Sequence, residues 1–252
     1  MITVNSYFSG AGGLDLGLSL AGLTIQQSLD YDVDSCTTLR NNFSHSVINT
    51  DIRNKTVLDQ IKSDVIAGTY PCNHYSNIAS IHNSKVGDDL FLHFFRHLAL
   101  IQPEAYIIEN VPGMKKFPVV MEAMSKLPNY YVNIFCPLDA NLWLPQNRKR
   151  LILIGTKRPF FIMNPSNSRR IRLKDIVERN PDIEVPEYVR SRITGEYRDT
   201  PIISDPDKDE LAPTCVARIW CLFSFKSELT LTYGKRNSKR KQNRRGGNLH
   251  LY

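Results

Sequence analysis

Paired cysteines are absent from this sequence. Its five Cys (Cys36, Cys72, Cys136, Cys215, Cys221) are odd in number and scattered, and none forms a CxxC. A disulfide framework and a zinc or other metal site are therefore unsupported, and a reducing, cytoplasmic setting is expected. No apolar run is long enough for a membrane helix, and the first residues do not read as a signal peptide, so no membrane role is expected. Net charge is absent from most of the chain as well. The total is +7, yet Ile219–Tyr252 alone holds eight Lys/Arg against one acid, Glu228, so residues 1–218 sum to zero. The basic balance is thus no argument that the main body binds nucleic acid. A GxGxxG fingerprint is missing too, because Asp15 stands where its third Gly would be. That disfavours a plain dinucleotide site.

What is present is an ordinary globular composition, 42% hydrophobic and 23% charged over 252 residues, enough for one large domain or two small ones. Ile2–Phe8 is a β-type run that breaks into Ser9-Gly10-Ala11-Gly12-Gly13, and Leu14–Leu20 follows as a short helix. Strand, Gly-rich turn and helix can bring backbone N–H groups close to a ligand, or form a tight turn with none. Thr24–Leu29 is a second strand tipped by Asp30, placed to accept hydrogen bonds from ribose hydroxyls; Asp32 reads as the cap of a helix over Val33–Asn42. Val47–Asn49 is a third strand, followed by Asp51-Ile52, an acid that could bond an exocyclic amine.

The fourth strand, Asp64–Gly68, runs into Tyr70-Pro71-Cys72-Asn73-His74-Tyr75-Ser76. Pro has no N–H for a ladder, so the strand stops and Cys72 sits in a loop at its end. A thiol there is a nucleophile if its pKa is lowered, and a small buried hydrophobe otherwise. After a polar loop over 77–87, Asp88-Asp89 caps a helix over Leu90–Leu100. His93 and His97 share one face of it, which reads as helix surface rather than a metal site, with no third ligand to hand. Ala105–Ile108 is a buried strand that delivers Glu109-Asn110-Val111 at its tip. Four apolar residues before Glu109 predict a partly desolvated carboxyl, the setting of an acid that donates near neutral pH. A helix over Pro118–Lys126, a strand over Tyr131–Phe135 and a turn region over Asp139–Pro145 precede Gln146-Asn147-Arg148-Lys149-Arg150. That cationic run enters a last strand, Leu151–Gly155, and could clamp an anionic backbone or be a solvated edge. The alternation predicts an α/β fold with a doubly wound, mostly parallel sheet.

These residues together resemble the cytosine-5 DNA methyltransferase family, over roughly residues 1–157 with hints as far as Ala217. Phe8-Ser9-Gly10-Ala11-Gly12-Gly13-Leu14 is similar to the family's first motif, which holds S-adenosylmethionine. Asp30 matches the position that binds the cofactor ribose, and Asp51-Ile52 the one that reaches the adenine. Pro71-Cys72 matches the Pro-Cys of the catalytic loop, and Leu90-Phe91 the motif beside the adenine. Glu109-Asn110-Val111 and Gln146-x-Arg148-x-Arg150 match two further motifs. The resemblance implies a Rossmann-like methyltransferase sheet, with Cys72 adding to carbon 6 of a flipped cytosine, Glu109 holding the base, and Arg148 and Arg150 contacting base carbonyl or backbone. Pro71 and Leu90 would join the cofactor set. It also implies a double-stranded DNA substrate and a monomeric enzyme of restriction–modification or phage type, the former with a cognate restriction endonuclease.

Departures from the family pattern are expected to matter. Asn73 replaces the usual Gln, and Thr69 the usual Gly. The ninth and tenth motifs are not found, so residues 158–218 are read as a partial, incomplete target-recognition region. Residues 219–252 are read as a basic tail, disordered or frameshifted, with a DNA-binding arm as the alternative. Two rival readings stay open at this point: an inactive fragment that only binds cofactor or DNA, and the same chemistry on tRNA.

Overall fold

The computed structural model describes residues 1–57, 61–71, 88–163, 171–176, 203–204, 208, 211–212, 221–224 and 229–232. Contacts divide the chain into two compact units, Met1–Leu138 with Arg150–Met163, and Asp139–Lys149 with Asn164–Tyr252. Among the described residues no helix is long and apolar enough to cross a membrane.

The first unit is built on a seven-stranded sheet with strands β1 (Thr3–Tyr7), β2 (Thr24–Asp30), β3 (Ser46–Asn49), β4 (Val65–Gly68), β5 (Ala105–Asn110), β6 (Tyr131–Asp139) and β7 (Lys149–Thr156). The strand order is β3-β2-β1-β4-β5-β7-β6. The five strands from β3 to β5 are parallel to their neighbours, and β7 runs antiparallel to β5. Among the described residues four helices accompany them: α1 (Gly13–Leu20), α2 (Val33–Asn42), α3 (Asp88–Ile101) and α4 (Pro118–Ser125). This is the mostly parallel α/β architecture expected from the alternation of strand and helix patterns. Strand β6 continues four residues past the expected end at Phe135, through Pro137 to Asp139.

Each face of the sheet buries its own core. Val4, Ile25, Val65 and Ala67 pack with Leu18 of α1 on one face. Tyr7, Leu29, Ile66 and Ile108 pack with Phe94 and Leu98 of α3 on the other. Side chains alternate along a strand, so Ile25 and Leu29 should share a face. They do not, because the β1–β2 register passes from Val4↔Ile25 to Asn5↔Gln27 and skips Gln26. The extra residue is a bulge that reverses which face the rest of β2 presents. At the end of β4, Gly68 lets Phe94 lie directly on the strand, where a Cβ would collide with its ring.

His97 corrects one expectation. It is fully buried rather than on a helix surface. Its ring lies 5.2 Å from that of Tyr7, and its Nδ1 donates to the His93 carbonyl at 2.8 Å. An imidazole whose one N–H is spent on the carbonyl four residues back behaves as an aromatic core residue. No His/Cys/Asp/Glu group suited to a metal occurs among the described residues.

The second unit contains a three-stranded sheet in the order β10-β9-β8, from β8 (Ile203–Ser204), β9 (Cys221–Ser224) and β10 (Leu229–Thr232). Strand β9 is parallel to β8 and antiparallel to β10. Both β9 and β10 fall in a stretch whose sequence has no clear period; four-residue strands are too short to show one. Ala212 ties back to the start of this unit, donating its N–H to the Pro145 carbonyl and accepting from Asn147 N–H, both at 2.7 Å.

Candidate active site

Parallel strands deliver their carboxyl ends to one edge, where open α/β sheets bind ligands. At the end of β1 the backbone leaves extended geometry abruptly. Phe8, Gly10 and Gly12 have φ of 56°, 55° and 91°. Glycine adopts such angles freely, whereas Phe8 pays for them, so the surroundings must hold it. Thr69 does so from the end of β4: its hydroxyl donates to the Phe8 carbonyl at 2.6 Å and its N–H to the Tyr7 carbonyl at 3.2 Å. The Phe8 ring packs edge-on to Tyr70 and Phe94. Gly12 then starts α1, leaving the N–H groups of that helix's first turn facing the turn Ser9–Gly13.

Asp30, at the tip of β2, is 8% exposed. One carboxylate oxygen accepts from Gly10 N–H at 2.8 Å and the other from Asp32 N–H at 2.9 Å. Asp30 therefore holds the Gly-rich turn to β2, and each oxygen retains a further lone pair. Asp32 caps α2 as expected, accepting from Ser35 N–H at 2.9 Å. Asp51 follows β3 and opens a short 3-10 turn, Ile52–Asn54. Its carboxylate is gripped by Arg53, with guanidinium contacts from 2.6 to 3.1 Å, and this holds its carboxyl below the usual carboxylate range. The Ile52 side chain is 2% exposed and belongs to the core, so only its backbone is available to a ligand.

Beyond Thr69, Tyr70 is buried against Phe91 and Phe94, and its hydroxyl lies 3.2 Å from Met114 Sδ. Asn110, 3% exposed at the end of β5, donates to the Tyr70 carbonyl at 3.2 Å. Asn110 thus pins the backbone immediately ahead of Pro71-Cys72. Pro71 is the last described residue there; Cys72 lies outside the described residues. Leu90 is half-buried at the start of α3 and packs on the same core.

Glu109 is half-buried and has a cation beside it, a partner that its sequence neighbours do not reveal. Antiparallel pairing sets Glu109 opposite Ile152 and Asn110 opposite Leu151, which brings Arg150 to the same rim. Arg150 Nε lies 2.7 Å from Glu109 Oε1, with the two side chains 20% and 26% exposed. The structure therefore brings together the Gly-rich turn, Asp30, the approach to Cys72, Glu109 and Arg150 within the first unit. Arg148 belongs to the second unit, where its carbonyl accepts Ala140 N–H at 3.0 Å. Sequence reasoning assigned no task to Asn110 beyond its motif and none to Thr69; a polar side chain directly beside a strand-ending Gly or Glu was the available signal.

Comparison with known proteins gives the family. A family model described as C-5 cytosine-specific DNA methylase matches residues 2–211. The type II methyltransferase M.HindV of Haemophilus influenzae is 32% identical over 182 residues, covering 69% of this chain and 59% of that protein. M.FnuDI of Fusobacterium nucleatum is 32% identical over 194 residues, covering 72% of this chain and 56% of that one. The chain thus spans a little over half the length of these relatives. Among solved structures, a DNA modification methyltransferase encoded within an E. coli prophage is 25% identical with a TM-score of 0.54, over 62% of this chain and 47% of that one. The Dnmt2 methyltransferase of S. pombe, at 19% identity, shares the fold with a TM-score of 0.65 over 86% of this chain and 71% of its own. The match across most of the chain settles the grouping: this protein belongs to the C-5 cytosine-specific DNA methylase family.

Proposed function

We infer that this chain transfers a methyl group from S-adenosylmethionine to carbon 5 of cytosine in double-stranded DNA, as the modifying partner of a cognate restriction endonuclease. The observation that carries the reading is the Glu109–Arg150 pair at the same sheet edge as the Asn110-pinned approach to Cys72. The family description names DNA, which favours that substrate over tRNA.

The groups around the Gly-rich turn suit S-adenosylmethionine. Left-handed Gly10 and Gly12 allow close backbone approach, the start of α1 offers N–H groups, and Asp30 and Asp51 supply acceptors for ribose hydroxyls and an adenine amine. Phe8–Leu14, Ile52, Pro71 and Leu90 complete the proposed lining. Bound there, the cofactor supplies a methyl group on a cationic sulfur. The target base must leave the duplex to reach the site. The Cys72 thiolate forms a bond from sulfur to carbon 6, which makes carbon 5 nucleophilic. Glu109 holds the base through its N3 and exocyclic amine, and Arg150 keeps the Glu109 carboxyl in place. Arg148 contacts the base carbonyl or the backbone. After methylation water takes the carbon 5 proton, the electron pair of that bond re-forms the carbon 5–carbon 6 double bond, and Cys72 leaves as the thiolate. Residues 158–218 are assigned to target recognition, and the reaction to the cytoplasm.

The test is transfer of label from S-adenosylmethionine to mixed genomic DNA and, in parallel, to tRNA. Label in DNA that disappears with Cys72→Ser is expected. Label in tRNA alone, or label in DNA that survives Cys72→Ser, would refute the substrate or the nucleophile respectively.

A further inference from the structure

Asp15 has no part in the chemistry above, yet it is fully buried in the first turn of α1. A buried carboxylate is costly unless hydrogen-bonded throughout. Here its two oxygens accept from Ser6 Oγ and Ser28 Oγ, each at 2.5 Å. Ser28 Oγ also lies 2.6 Å from His45 Nε2. The Ser28 proton is spent on Asp15, so His45 must donate through Nε2. On the other side Ser9 Oγ lies 2.9 Å from Ser6 Oγ and 3.2 Å from the Ser6 carbonyl. The Ser6 proton is likewise spent, so Ser9 donates. A directed chain therefore runs from His45 through Ser28 to Asp15, and from Ser9 through Ser6 to the same carboxylate.

The bulge at Gln26 makes this possible. Ser6 shares the α1 face of the sheet with Val4, and the skipped residue brings Ser28 onto that face, paired with Ser6. Unbroken alternation would turn Ser28 away from Asp15. The far end of the chain is Ser9, whose carbonyl accepts Gly12 N–H at 2.9 Å and so closes the Gly-rich turn.

We propose that Asp15 is a positioning residue for the cofactor: through Ser6 and Ser9 it fixes the shape of the turn Ser9–Gly13. The proposal rests on the assignment of S-adenosylmethionine to that turn. It gives the acid at the third-Gly position a task, since the carboxylate holds from beneath a turn that a third glycine would leave to close packing alone.

The test compares wild type, Asp15→Asn, Ser28→Ala and, as a stability control away from the turn, Tyr106→Phe, which removes the hydroxyl that donates to the Met124 carbonyl. S-adenosylmethionine binding is measured by calorimetry, and amide hydrogen exchange at Gly10 and Gly12 is followed without ligand. Asp15→Asn is expected to weaken binding about tenfold, the scale of one hydrogen bond to a charged group, and to speed exchange at Gly12 by a similar factor. Ser28→Ala should move both readouts in the same direction by less, and it carries the test if Asp15→Asn does not fold. KM for S-adenosylmethionine should rise while KM for DNA stays constant. Tyr106→Phe should leave cofactor affinity and turn exchange unchanged. Wild-type affinity and exchange in the folded Asp15 and Ser28 variants would overturn the proposal, as would an equal loss in Tyr106→Phe. A wild-type chain that fails to bind S-adenosylmethionine, but whose Gly12 exchange still depends on Asp15, would sink the cofactor assignment and leave the positioning of the turn standing.

Discussion

Two glycines five residues apart should respond to alanine with opposite sign. Gly12 begins α1 at φ 91° and ψ 20°. An L-residue in left-handed backbone costs about 1–2 kcal/mol. A Cβ there would also stand 2.5 Å from Phe43 Cε2 and 2.7 Å from Leu39 Cδ2, side chains that help bury α2 against the turn. Displacing packed side chains adds about 1–3 kcal/mol. Gly12→Ala should therefore destabilise the protein by roughly 2–5 kcal/mol, a fall in melting temperature of about 10 °C for a chain of this size. Gly17 lies exposed inside the same helix with nothing near its Cβ position. Alanine there should stabilise by about 0.5–1 kcal/mol, through lost freedom in the unfolded chain. Urea unfolding followed by far-UV circular dichroism measures both, as shifts of midpoint at constant slope. A Gly12→Ala midpoint at or above that of wild type, or variants that move in the same direction, would refute the turn geometry described here.

Burial pushes the His97 and His45 imidazoles below their ordinary range. Each stays neutral when folded and protonates when unfolded, so its contribution is intact above pH 6.5 and is lost as pH falls below it, at up to about 1.4 kcal/mol per unit. His97→Leu should flatten the fall in urea midpoint between pH 6.5 and 5.5; an unchanged slope would contradict the burial. Tyr106 is fully buried and donates its hydroxyl to the Met124 carbonyl at 2.5 Å. Tyr106→Phe leaves that carbonyl unsatisfied and should cost about 1–3 kcal/mol by the same assay. Arg53 holds the Asp51 carboxylate that the proposed reading offers to adenine. An exposed pair is worth at most about 1 kcal/mol, so Arg53→Ala should tighten S-adenosylmethionine binding by up to about fivefold in calorimetry, whereas weaker binding would make Arg53 a ligand itself.

Much of the sheet could be read from local pattern. Val65–Ala67 is a continuous apolar run stopped by Gly68 and Pro71, as a strand buried on both faces requires. Asp32 announced the start of α2 because its side chain serves the nearby Ser35 amide, an interaction written within four residues. What escaped was non-local. Nothing in Thr24–Asp30 marks Gln26 as the skipped residue, since the bulge exists only relative to β1. The Glu109–Arg150 pair likewise depends on antiparallel register between strands that the sequence leaves undirected. His97 was misjudged because the helix pattern showed which residues share a face, but not that Tyr7 would cover this one.

Reversal of β7 relative to β5 has a consequence for how this fold tolerates change in length. Strand β5 ends at Asn110, whose partner is Leu151 of β7, and β6 lies between them in sequence on the far side of β7. The stretch from Asn110 to Leu151 is thus a long connection whose two ends are paired. Residues added to its connections do not alter the spacing of Glu109 and Arg150, and doubling such a loop costs only about 0.6 kcal/mol. The antiparallel strand thus acts as a length buffer, insulating one pair of side chains from insertions and deletions in the forty residues that separate them.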